Sequence, residues 1–163
     1  MSMLNGLPAH PFLVHFIVVL APLTAVLAVL CAIWPAARQR LVWLVFLLAG
    51  ITLVVTPIAA EAGEWLYGRV EESEALETHE HLGETMIYFA LALMVAAILL
   101  VISHVRDNRG KTLSKALSAV IAVFVVAAAV ATSVQVYRIG HSGAESVWGD
   151  ALTTSTAGES GGE

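Results

Sequence analysis

The chain reads as an all-α membrane protein, a bundle of four transmembrane helices. Three observations point there. Hydrophobic residues make up 58% of the 163 residues and charged ones only 13%, against about 25% charged in an ordinary soluble domain. Mean hydropathy is +0.82. The apolar residues fall in four long runs rather than in alternation, and each run is near the ~20 residues that a bilayer core requires. The lipid bilayer is therefore the first partner expected. A net charge of −5 argues against a nucleic-acid partner. The single cysteine, Cys31, excludes an intrachain disulfide and any Cys-based zinc site.

The first span is expected at 12–34. Met1–Leu7 has no Lys or Arg, so it lacks the positive region of a secretory signal, and the run that follows is a retained helix. Pro11 suits a first helical turn, while Pro22 lies inside and should kink the helix. The second span, 41–60, carries Thr52, Thr56 and Ala60 at spacing four, with Ala59 and Gly63 as a small-xxx-small pair. Such stripes allow close helix approach in lipid. The third and fourth spans are expected at 85–103 and 113–136. Together 1–143 form one transmembrane domain, and the Gly, Ser, Thr and Glu of 144–163 read as a disordered tail.

The connection at 61–84 holds eight of the thirteen acidic residues, and its helix-forming second half should extend the third helix beyond the membrane. Arg38, Arg40, Arg106, Arg109, Lys111 and Lys115 flank the other two connections, against Arg69 and Arg138 on the opposite side. The positive-inside bias then places the protein in the cytoplasmic (inner) membrane with both termini outside.

That topology gathers His10, His15, His79, His81 and His141 at the outer face and leaves His104 at the inner interface. His15 stands about 5 Å inside the first span, where an ionisable side chain normally faces a polar cavity or the bundle interior. It is either an imidazole at headgroup level bonded to a neighbour such as Gln135, or a ligand to haem iron or another metal. Glu77, His81, Glu84 and Tyr88 share one helix face, so that Glu77 or Glu84 could orient the His81 ring. His79 points to a different face and is expected to be solvated. His10 and His141 are alternative ligands.

The bundle mouth therefore suits haem b with His15 and His81 as axial ligands, or a transition metal on the same histidines. No CxxCH is present for covalent haem attachment, and HEH at 79–81 lacks the spacing of a zincin. The leading expectation is electron transfer with a respiratory or redox membrane partner. A structural or assembly subunit is the alternative, and a small transporter or ion-handling protein another, although apart from Lys115 at the start of the fourth the spans hold no Asp, Glu, Lys or Arg, and they show no inverted repeat. An enzyme has least support: there is no nucleophile elbow and no phosphate loop.

The motif LPAHPFLVHF at 7–16, Ala62-Gly63-Glu64-Trp65 closing the second span, His81 opening the third helix, and Val136-Tyr137-Arg138 with Gly140 and His141 after the fourth resemble the predicted membrane proteins grouped as domain of unknown function 2231. The resemblance covers about residues 4–143. It implies a four-helix bacterial or archaeal membrane protein in which His10, His15 and His81 belong to the family pattern. Ile17 stands where that pattern often has proline, and Ile139 separates Tyr137-Arg138 from the histidine that usually follows directly.

Overall fold

The computed structural model describes residues 3–4, 7–68 and 74–159. Four helices account for nearly all of them: α1 Ala9–Ile33, α2 Pro35–Tyr67, α3 Glu74–Asn108 and α4 Lys115–Glu159. A two-residue antiparallel ladder, β1 Met3–Leu4 with β2 Leu7–Pro8, precedes α1. All four helices are long and apolar enough to cross a membrane.

The helices overrun the expected spans for local reasons. The basic turn after α1 is absorbed into α2, because Pro35 takes its first position, where the missing N–H has no helical partner to lose. Arg38 and Arg40 consequently sit on the first turns of α2. One helix continues through Pro22 and another through Pro57. The acidic extension of α3 begins at Glu74, in keeping with the helix-forming residues there; Arg69, Glu71 and Glu72 lie outside the described residues. Instead of stopping near 136, α4 runs on as helix to Glu159, through most of the segment whose composition suggested a tail. No proline interrupts it. At 45 residues it is about 68 Å long, twice a ~30 Å hydrocarbon core.

The α3–α4 turn is closed at both ends. Gly110 has φ +69°, and the Lys111 N–H reaches the Arg106 carbonyl, a glycine-terminated helix end. Ser114 Oγ then accepts the Leu117 N–H and caps α4.

Each helix packs against two neighbours: α1 lies between α2 and α4, as does α3, while α1 and α3 meet only lightly across the centre. Buried positions are dominated by small residues. One cluster toward the basic end includes Ala28, Cys31, Val45, Ala49, Ala97 and Leu100. A second, nearer the histidines, includes Ile17, Ala21, Ala59, Met86, Val136 and Ile139. Without a water-driven hydrophobic force between helices in lipid, such small contacts let dispersion act over close backbones. Thr24, Thr52, Thr56 and Thr132 are buried, and each returns its hydroxyl to the carbonyl four residues earlier, so no donor is stranded. Large side chains such as Val19, Trp43, Val54 and Val123 point outward, as a lipid-facing surface requires. At the basic end Arg38 donates to Asp107 at 2.8 Å, tying α2 to α3.

Candidate functional site: a histidine cleft at one end of the bundle

At the end opposite the basic turns, the four helices part around a cleft of about 680 Å³. Its wall is mainly apolar, supplied by residues such as Val14, Val18, Leu76, Ile139 and Trp148. His10, His15 and His79 line it, with Glu64, Glu80 and Glu84. Glu74, Glu77, Glu80 and Glu84 all fall in the first turns of α3, which places this part of the helix beyond the apolar span.

Two histidines meet here from opposite corners. His10, in the first turn of α1, and His79, in the second turn of α3, have ring centroids 6.3 Å apart and ring planes at 86°. The His10 Nδ1–H donates to the Ala59 carbonyl of α2 at 2.9 Å. The His79 Nδ1–H is shared between the Ile139 carbonyl and Ser142 Oγ of α4, each at 3.1 Å. Because a carbonyl can only accept, each Nδ1 carries the proton. In the neutral ring, Nε2 is then the nitrogen with a free lone pair.

Glycine makes both placements possible. A Cβ built on Gly63 would lie 2.9 Å from His10 Cε1, and one on Gly143 would lie 2.9 Å from His79 Cε1. Burial, followed by the charge of His10, pushes the His79 imidazole below its ordinary range; its backbone hydrogen bond acts the other way.

The other histidines divide. His15 lines the cleft and is exposed; its Nδ1–H returns to the Pro11 carbonyl at 2.6 Å within α1. It does not bond Gln135, which is buried and instead donates to the Leu82 carbonyl and Thr85 Oγ1, both at 2.9 Å. His81 and His141 are on outer faces, with side chains 79% and 65% exposed, and lie 3.9 Å from Glu84 and Glu145 respectively. Glu84 thus does lie beside His81, and it also lines the cleft. Exposed Glu77 lies one turn before His81 on α3. His104 is buried rather than interfacial, and its Nε2 accepts from Asn108 at 3.0 Å.

His79 is the residue that sequence reasoning misplaced. Its departure from the face of His81 and Glu84 reads as solvent exposure, but that other face is the one turned to α4. Its one legible signal was Gly143, whose missing side chain leaves room for a ring. Among the described residues, no three of His, Cys, Asp and Glu are grouped closely enough to hold a bare metal ion.

Fold and cleft together define a four-helix membrane protein with a histidine-lined mouth. The chain belongs to the predicted membrane protein family DUF2231, whose family model matches residues 6–156. No curated protein and no solved structure matches the chain.

Proposed function

We propose that the cleft houses a redox cofactor, haem b in preference to a bare transition metal, and that the protein passes electrons to a redox partner in the membrane. The observation that carries this reading is the engagement of Nδ1 on both His10 and His79. Metal-bound histidines usually donate their second nitrogen to a carbonyl or carboxylate, which fixes the tautomer and aims the free lone pair. A bare zinc or copper(II) ion generally needs three or more protein ligands. Haem brings four nitrogens of its own and asks the protein for two at most, and the largely apolar cleft suits a flat macrocycle. The excess of Lys and Arg at the other end favours an orientation with the cleft on the outer side of the cytoplasmic membrane.

A structural role has one observation in its favour. Each imidazole joins the two helices of one hairpin, α1 to α2 and α3 to α4, and that bond needs no ligand. Detergent-purified full-length protein from haem- and metal-replete cells separates the two readings. A Soret band that sharpens and shifts with dithionite, at about one haem per chain, is the expected result. A colourless, metal-free sample would leave the histidines as helix clamps.

A further inference from the structure

The two helical hairpins repeat one another. Buried Ile17, Ala21 and Ala28 of α1 correspond to buried Met86, Ala90 and Ala97 of α3 at one constant spacing along the chain, and that spacing also relates His10 to His79. Buried Ala49 and Thr52 of α2 correspond at a second constant spacing to Ala129 and Thr132 of α4. Any bundle helix repeats its inner face every three or four residues, so burial alone would not fix this register. The imidazole unit fixes it. On each hairpin a histidine near the start of the first helix donates Nδ1–H to a carbonyl of the second, and the residue four positions after that carbonyl is a glycine that clears the ring. Ala59 and Gly63 form the unit in one hairpin, Ile139 and Gly143 in the other.

We propose that the chain is a tandem repeat of one hairpin about an axis along the bundle, and that His10 and His79, equivalent under it, are the two axial ligands of a single haem iron. The inference rests on the haem reading above and names its ligands. Both hairpins run in the same sense, so the repeat is parallel with an axis along the membrane normal, a known membrane-protein symmetry and not an inverted one. An axis relating two rings this close must pass between them, so a group bound on it would meet equivalent atoms of the two rings. Two imidazoles on opposite sides of one metal, each bonded at about 2 Å, have centroids about 6 Å apart; here the separation is 6.3 Å. The remaining cleft histidine does not follow the repeat. The counterpart of His15 is Glu84, and that of exposed His81 is Phe12.

Asparagine separates ligand from clamp, because its side-chain N–H lies near the place of the histidine Nδ1–H but it has no Nε2. In the full-length membrane protein, His10→Asn and His79→Asn should each convert a six-coordinate low-spin haem to a high-spin one, with added imidazole restoring the low-spin spectrum. The double variant should lose the haem. His15→Asn and His81→Asn should keep the wild-type spectrum. Gly63→Ala and Gly143→Ala, which retain both imidazoles but crowd them, should shift the low-spin bands and lower haem occupancy. Low-spin haem retained in both His10→Asn and His79→Asn overturns the pairing while leaving a haem protein. A colourless wild type overturns the haem reading itself, and the pairing with it.

Discussion

His10 and His79 stand with ring planes at 86° and centroids 6.3 Å apart, each held by a carbonyl of the neighbouring helix in its own hairpin. The arrangement uses one nitrogen of each ring for structure and leaves the other for chemistry. It also makes the mouth of the cleft sensitive to small changes in the surrounding helices.

Gly63→Ala and Gly143→Ala are expected to destabilise the protein by about 1–3 kcal/mol each, the usual cost of forcing a methyl group into occupied space. The intruding Cβ would lie 2.9 Å from a ring carbon in both cases, so the ring or a helix must move. Gly50→Ala and Gly140→Ala, where a Cβ meets nothing within 4 Å, are the controls and should not destabilise. Thermal unfolding in detergent reads the difference; equal melting temperatures for all four would show that the clearance has no energetic consequence.

Acid should loosen this end of the bundle in the haem-free protein, where no iron occupies the His79 Nε2. The His79 imidazole titrates below its ordinary value of 6.5 in the folded protein. Above that value both folded and locally opened forms are neutral, and pH has no effect through this group. As pH falls through 6.5 the opened form takes up its proton first, so the closed form loses stability until it too protonates at lower pH. Hydrogen exchange of the amides around 74–84 and 139–145, followed from pH 8 to 5, should show protection falling below pH 6.5 in the wild type and a flatter response in His79→Asn. Identical profiles would remove His79 as the source.

His81→Ala and His141→Ala should change stability by no more than about 0.5 kcal/mol, as expected for surface substitutions away from special features. Their ring nitrogens lie 3.9 Å from the partner carboxylates and their side chains are largely solvated. A loss of 2 kcal/mol or more in either would mean that these exposed faces are covered by something in the membrane.

At the opposite end, Arg38 and Asp107 hold α2 to α3. A double-mutant cycle with Arg38→Ala and Asp107→Ala should give a coupling of about 0.2–1 kcal/mol, near the top of that range because the arginine is mostly buried. Strict additivity would show that the basic end is held by packing alone.

The sequence made the architecture legible through properties that depend on single segments. Apolar run length placed all four helices, and the buried Thr52–Thr56 stripe was visible as small residues at spacing four. Helix ends were harder. Whether Pro35 opens α2 or belongs to a loop, and how far α4 continues past 136, depend on neighbouring packing rather than on hydropathy. The cleft was legible as a gathering of histidines but not as a pair. Which faces of α1 and α3 turn inward depends on helix rotation, which the spacing of Glu77, His81 and Glu84 does not determine. Those residues share a face, but the face that meets α4 carries His79. The hairpin repeat was hidden for a related reason: few aligned residues are identical, and what repeats is burial and the imidazole–carbonyl–glycine unit.

The most direct test is low-temperature electron paramagnetic resonance of the oxidised, detergent-purified protein, compared with His79→Asn. Two axial imidazoles with planes near the observed 86° leave the iron dπ orbitals close in energy, which gives a strongly anisotropic low-spin ferric signal. That signal is expected in the wild type, and in His79→Asn it should be replaced by a high-spin axial one. A low-spin signal unchanged by His79→Asn, or no haem signal in wild-type protein from haem-replete cells, would contradict a haem held between His10 and His79.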